Sequence, residues 1–279
     1  MNIGVAGLGL IGGSLCKAIK AYTAHLVFGS DIDNDVLASA LEYGAIDAEL
    51  TCKSLEKCDI IISALYPADT IYFVKKHLAH FKDGGVILDV CGIKSKVCEE
   101  INDVIMDKNI VFIGGHPMAG REFSGFSASS KDLFIGASMV LTPNGALDKE
   151  LLNNVSEFIM SLGFARIINT SPVFHDKMIA YTSQLPHAIA SAYVKSPNCR
   201  YQLGFTGGSF EDMSRVARLN ENMWTELFIE NSGYLLAEID TFIDNLKDIR
   251  TAIANENSDT LCSLLAQGRQ IKEGLQEEG

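Results

Sequence analysis

No apolar run in this chain of 279 residues reaches the length needed to span a bilayer, which argues against a membrane role. The start, Met1-Asn2-Ile3-Gly4-Val5, lacks the basic region of a secretory signal and goes directly into a strand. Positive charge is scarce, with 23 Lys and Arg against 35 Asp and Glu and a net charge of −12. Such a surface repels phosphate backbones, so nucleic-acid binding is not expected, and any anionic ligand must be met by a local basic pocket. The seven cysteines (16, 52, 58, 91, 98, 199 and 262) include no CxxC pair and no zinc spacing. Their odd number closes no disulfide framework, so they read as reduced, cytosolic and mostly buried. Solenoid-like repeats and low-complexity linkers are missing too. What remains, 47% hydrophobic and 21% charged, is a packed protein long enough for two domains.

The first half alternates apolar strands with amphipathic helices. Strands are expected at Ile3–Ala6, Leu26–Phe28, Ile60–Ile62, Val86–Leu88, Ile110–Ile113, Ser138–Leu141 and Ala165–Ile168. Helices are expected over 10–21, Val36–Leu41, 68–79, 95–107 and 148–161. That alternation predicts parallel βαβ units and a doubly wound α/β sheet of the Rossmann type over residues 1–170. After Thr170-Ser171-Pro172, a helix start with Ser as cap, strand-like runs vanish. Residues 171–279 are expected to form an all-helical substrate and dimerisation domain. Its clearest stripe is Leu235, Leu236, Ile239, Phe242, Ile243, Leu246 and Ile249, and Leu261, Leu264, Leu265, Ile271 and Leu275 form a second. Stripes of that length predict a homodimer with a partly intersubunit core.

Gly7-Leu8-Gly9-Leu10-Ile11-Gly12 matches GxGxxG between the first strand and the first helix, the context a dinucleotide site requires. Gly7 permits the tight turn, Gly9 lets a pyrophosphate touch the backbone, and Gly12 lets helix and strand pack closely. Asp31, at the end of the second strand, is the acid expected to accept hydrogen bonds from the adenosine ribose and to repel a 2′-phosphate. No Arg or Lys lies among residues 29–35, so the expected cofactor is NAD rather than NADP. Ser14 extends the turn as a further phosphate contact.

Gly114-Gly115-His116-Pro117-Met118-Ala119-Gly120-Arg121-Glu122 follows an apolar run and reads as a glycine-walled turn holding a titratable imidazole at a strand end. Three further segments carry chemistry-bearing residues. They are Asp89-Val90-Cys91-Gly92-Ile93-Lys94, His175-Asp176 with Ser183-Gln184-Leu185-Pro186-His187, and Gly207-Gly208-Ser209-Phe210-Glu211-Asp212-Met213-Ser214-Arg215, ending near Trp224 and Asn231. In this order and spacing they resemble the prephenate dehydrogenase family of tyrosine biosynthesis, across essentially the whole chain.

The resemblance implies NAD-dependent oxidative decarboxylation of prephenate to 4-hydroxyphenylpyruvate. It assigns His116 as the base on the ring hydroxyl and His187 as a second histidine of the substrate site. Arg215 becomes the fork on the ring carboxylate, and Glu122 and Asp212 organise that arginine or gate the site. Gln184 lies in the pocket for the pyruvyl tail, and Gly92 joins the glycine turn at the cofactor. Blander readings stand beside these: Arg215 paired with Asp212 three residues back, or His187 satisfying a backbone carbonyl. His175 is expected to be structural, because adjacent side chains on a helix point apart.

Three positions depart from the family pattern. Gly92 stands where Ser is common, Gln184 where His is common, and Arg121 where a small hydroxyl residue is common. Neither a chorismate mutase bundle nor a regulatory ACT domain is expected. The alternatives are arogenate dehydrogenase, with the same chemistry on an amine-bearing substrate, and an NAD-sensing protein on the same fold.

Overall fold

The computed structural model describes residues 1–277 apart from 122, 145 and 146. Its sheet has eight strands: β1 (Asn2–Ala6), β2 (Leu26–Ser30), β3 (Ala48–Glu49), β4 (Ile60–Ser63), β5 (Val86–Asp89), β6 (Val111–Pro117), β7 (Ser138–Pro143) and β8 (Arg166–Asn169). They lie in the order β3-β2-β1-β4-β5-β6-β7-β8. Every pairing is parallel except β6 with β7. The apolar runs explain the centre. A parallel strand covered on both faces reads as continuous hydrophobic sequence, and Ile60-Ile61-Ile62 and Val86-Ile87-Leu88 are buried throughout. Alternation then divides the core in two. Ile62, Leu88 and Ile113 enter one cluster, with Leu15, Ile19 and Phe158. Ile61, Ile87 and Phe112 enter the other, with Val97, Ile101 and Leu227.

Helices α1 (Leu10–Tyr22), α2 (Asn34–Glu42), α3 (Cys52–Leu55), α4 (Pro67–His77), α5 (Ser95–Ile105) and α6 (Lys149–Ser161) connect the strands. The short β3 and α3 have no counterpart in the sequence expectations, because neither is long enough to show a period. Asp33 and Asp148 cap α2 and α6 through their side chains. Ser171 caps α7 (Pro172–Ile179), as its position before Pro172 leads one to expect.

A single π turn, Ala180–Gln184, joins α7 to α8 (Leu185–Tyr193). Pro186 supplies the reason. It has no amide to donate, and one extra residue in the preceding turn absorbs the defect. Then come α9 (Gly208–Ser214), a 3₁₀ turn at Arg215–Ala217 and α10 (Glu221–Glu230).

The chain forms two compact units, Met1–Asn231 and Ser232–Gly279. The second comprises α11 (Ser232–Ala254) and α12 (Ser258–Glu277), linked through Glu256 at a φ of 50°. On α11, Leu236, Phe242, Ile243 and Leu246 are all exposed in the single chain. No helix of the described residues is long and apolar enough to cross a membrane. All seven cysteines are free: Cys16, Cys58, Cys91 and Cys98 are buried, Cys199 is half-buried, and Cys52 and Cys262 are exposed.

Candidate active site

The glycine turn has the shape its sequence requires. Gly7 has a φ of 87°, and a Cβ on Gly12 would lie 1.8 Å from the carbonyl oxygen of Gly7. Gly9 is the N-cap of α1, with no side-chain cap on the first-turn amides, and a Cβ there would meet nothing within 4 Å. Open space before uncapped amides is a cradle for a pyrophosphate. The side chain of Leu8 belongs to the core, while Leu10 and Ile11 begin the helix half-buried. Asp31 closes the turn from the end of β2, its carboxylate accepting from the amides of Leu8 at 2.7 Å and Asp33 at 3.0 Å. Ser14 is not part of the cradle. It is fully buried, and its hydroxyl accepts from the amide of Ser130 at 3.0 Å.

His116 does not lie in a turn. β6 continues through Pro117, and once its parallel pairing with β5 ends at Ile113, residues 113–117 pair antiparallel with β7. The two glycines before His116 serve close packing. A Cβ on Gly115 would lie 2.6 Å from the carbonyl oxygen of Asp89, and the Gly115 amide donates to the Asp89 carboxylate at 3.0 Å.

His116 Nδ1 lies 2.8 Å from His175 Nε2, and His175 Nδ1 lies 2.7 Å from an Asp176 oxygen. The sequence expectation that His175 and Asp176 point apart is therefore wrong. Nδ1 is close to the imidazole's own backbone and reaches the next residue's carboxylate without crossing the helix. Asp176 is fixed in turn by the amides of Lys94 and Ser95, both donating at 2.7 Å. It thus caps α5 from another helix. An ionised carboxylate only accepts, so His175 carries its proton on Nδ1 and offers Nε2 as acceptor. His116 must then donate from Nδ1, which leaves its own Nε2 as a lone pair.

Charge sets the protonation states. Lys94 and Asp89 form an ion pair with neither side chain exposed, and the Cys91 amide also donates to Asp89. Burial pulls the Lys94 ammonium down, but Asp89 with the nearby Cys91 and Cys98 more than offsets this and raises its pKa. Burial, then His175 and then Lys94, hold the His116 imidazole well below its usual value. His175 is lowered by burial and by Lys94 against the opposing hydrogen bond to Asp176. Burial works against the Asp176 carboxylate, yet the bonds from His175 and Ser95 win and lower its pKa. A neutral pair of imidazoles on a charged aspartate is the outcome.

The π turn places two more residues. Gln184 is 1% exposed, its amide nitrogen donating to Leu227 O at 3.0 Å and its oxygen accepting from Asn231 at 2.7 Å. Both ends of its amide are engaged inside the protein, which departs from the expected tail pocket. His187 donates from Nδ1 to the Ser183 carbonyl at 2.8 Å and stacks on Trp224 with ring centroids 3.8 Å apart. The backbone role weighed from sequence is thus present, and it leaves Nε2 as the nitrogen able to meet a ligand. Burial and then the Arg215 charge lower its pKa against that carbonyl bond.

Arg215 opens the 3₁₀ turn after α9, and Asp212 lies on α9, both exposed. Glu122 lies outside the described residues. Gly92 follows β5, half-buried, and a Cβ on it would lie 3.1 Å from the Leu227 side chain, which occupies the space of the expected serine. Sequence reading placed Asp89, Lys94, His175 and Asp176 within motifs but gave none of them a role at the site. The signals were an Asp closing an apolar strand five residues before a Lys, and the adjacent His-Asp pair.

Two family models match, described as the nucleotide-binding domain of prephenate dehydrogenase over residues 15–169 and its dimerization domain over residues 171–267. The prephenate dehydrogenase of Bacillus subtilis is 30% identical over 97% of this chain and 75% of its own length. The crystal structure of prephenate dehydrogenase from A. aeolicus, in complex with hydroxyphenyl propionate and NAD+, is 26% identical, with a TM-score of 0.87 over 99% of this chain and 98% of that one. Synechocystis arogenate dehydrogenase is likewise 26% identical, with a TM-score of 0.82 over 99% of this chain and 100% of that one.

Proposed function

The chain belongs to the prephenate dehydrogenase family, and from that premise we propose that it oxidatively decarboxylates prephenate to 4-hydroxyphenylpyruvate with NAD, in tyrosine biosynthesis. The observation that carries this reading is the relay from Asp176 through His175 to His116. Oxidation of a secondary alcohol needs a neutral base with one nitrogen held and the other open, and His116 has that form.

NAD, when bound, accepts the hydride from the ring carbon bearing the hydroxyl. The open turn Gly7–Gly12 would hold its pyrophosphate by the backbone and Asp31 its adenosine ribose; Gly92, on the loop after β5, belongs to the same cofactor side. Nε2 of His116 takes the hydroxyl proton as that carbon is oxidised, and the new imidazolium is steadied through His175 by Asp176. The bond from the ring to its carboxylate then breaks, carbon dioxide leaves, and the electron pair aromatises the ring. The proton returns from His116 to the phenolate oxygen, so no net proton is released.

Arg215 offers a bidentate fork for the ring carboxylate, with Asp212 and Glu122 as the acids that temper it. His187 presents Nε2 to the substrate. Gln184 is assigned a positioning role, holding α10 against α8 through Leu227 and Asn231, in place of tail contact.

Residues 1–170 are assigned to the cofactor and 171–279 to substrate and dimerisation. The exposed stripe on α11 and the dimerization-domain match support a homodimer, which sedimentation at micromolar concentration tests; a stable active monomer would refute it. Seven free thiols support a reducing, cytoplasmic location. The likeness to an arogenate dehydrogenase supports arogenate as the second substrate to try. The deciding assay is NADH or NADPH formation from prephenate and from arogenate, with each cofactor in turn. Turnover of prephenate with NAD is expected, and failure with all four pairs would refute the assignment.

A further inference from the structure

A cavity of about 530 Å³ is lined by Arg121, Phe123, Ser124, Ser127, Ala128 and Arg218. No described lining residue is acidic. This is unusual in a chain of net charge −12, where Lys20, Lys75, Lys82 and Lys96 are each paired with a carboxylate at 2.6 Å. Neither Arg121 nor Arg218 forms an ion pair with a described residue. Arg218 instead stacks its guanidinium 4.8 Å from the centroid of Phe123, which orients its edge at little entropic cost. Two cations facing one cavity repel each other, and an anion between them relieves that repulsion. Ser124 and Ser127 add hydroxyl donors, and Phe123 adds an apolar wall. This combination suits a carboxylate on a short organic body.

The placement narrows the ligand further. Arg215 and Arg218 flank one 3₁₀ turn, with the Arg218 amide donating to the Arg215 carbonyl at 3.4 Å. In that geometry residues three apart emerge on the same side. Arg121 follows His116 by five positions on the segment leaving β6. Prephenate carries both of its acids, the ring carboxylate and the 2-oxo acid side chain, on one ring carbon, opposite the hydroxyl. A base at one end and two arginine-held acids at the other is the pattern such a molecule demands.

We propose that Arg121 and Arg218 bind the side-chain carboxylate of the substrate in this cavity, beside an Arg215 that binds the ring carboxylate. The proposal rests on the substrate assigned above. It assigns the tail to residues that replace the expected role of Gln184, and it gives Arg121, a departure from the family pattern, a function.

The test uses the full chain with saturating NAD and calorimetry with two probes, 3-(4-hydroxyphenyl)propionate and 4-propylphenol, which differ only in the tail carboxylate. Wild type is expected to prefer the acid. Arg121→Ala with Arg218→Ala should weaken the acid roughly tenfold and leave the phenol unchanged, with Arg218→Lys recovering part of the loss. Both side chains are exposed, so the fold should persist, and a thermal melt checks it.

Equal binding of the two probes by wild type, or equal losses in the variant, would overturn the proposal. A second molecule of acid per chain that fails to compete with prephenate would overturn it too, in favour of a separate site for a free carboxylate. So would a change in NAD or NADP affinity without one in the acid, since that would make the cavity a cofactor-phosphate site. Binding is read without turnover. If the probes behave as expected but prephenate gives no NADH, the assigned reaction fails and the carboxylate site stands.

Discussion

His116 and His187 are alike in outline and different in what stands behind them. Each has Nδ1 committed and Nε2 open, and each is held below the ordinary imidazole pKa, chiefly by burial. Behind His116 are a second imidazole and a charged carboxylate, so a proton arriving on Nε2 is answered two bonds away. Behind His187 is a neutral carbonyl, with the Arg215 charge nearby. A proton there is opposed by burial and by the Arg215 charge, and has only the Ser183 carbonyl dipole to favour it. Two histidines shifted in the same direction are thus suited to different work, one to pass a proton and the other to stay neutral and accept a hydrogen bond. The direction of the shift does not distinguish them; the second partner does.

The largest effect that could break this contrast is at His116 itself. His116→Asn should reduce kcat on the order of a thousandfold with NAD affinity unchanged, as for loss of a general base. Near-normal turnover, measured as NADH formation, would move the proton transfer to His187.

Next comes Asp176→Asn, which keeps the shape but lets the amide donate, reversing the tautomer of His175 and turning Nδ1 of His116 into an acceptor. A fall in kcat of about a hundredfold is expected with KM nearly constant. The variant's one oxygen still accepts from the Ser95 amide, while the Lys94 amide loses its acceptor, so a thermal melt should fall modestly; a large loss of stability with normal kcat would make Asp176 only a helix cap.

Smaller again, His187→Asn should raise KM for prephenate about tenfold while kcat stays within a few-fold. The two substitutions should separate cleanly on a plot of kcat against KM.

The acid side sharpens the same point. With the His116 pKa depressed, the base stays neutral as pH falls past 6.5, so the acid limb of kcat should lie below that value. The unfolded chain gains protons first, so folding stability should decline as pH falls through the same window.

The smallest effect is read by NMR titration. Arg215→Ala should let the His187 pKa rise towards its ordinary value and leave His116 where it is, since Arg215 acts on the first and not the second.

The shape of the glycine turn was legible because its determinants are local. A glycine at φ 87°, a helix start and a nearby acid follow one another within residues 7–31, and their spacing is their geometry. The relay was not legible, because its two imidazoles lie 59 positions apart and meet only when α7 packs against α5 and β7. The rule that neighbours on a helix diverge was misleading at His175, where ring shape and the pull of two α5 amides on Asp176 decide the contact. Gln184 was misassigned for the same reason, since a π turn, invisible to a 3.6-residue period, rotates it inward. Strand positions were legible wherever the run was apolar. β6 was cut short because glycine, histidine and proline all read as turn.

The cysteine distribution makes the protein its own measuring device. Burial pushes the Cys58 and Cys98 thiols up to about 11, and Cys16 and Cys91 higher still, so a maleimide at neutral pH finds almost no thiolate at these four. Cys52 belongs to the unit Met1–Asn231 and Cys262 to Ser232–Gly279, and both are exposed. With Cys199→Ser, a donor and an acceptor dye would attach one to each unit with no cysteine introduced. Energy transfer between them would then follow the separation of the two units through a catalytic cycle, before and after each ligand arrives.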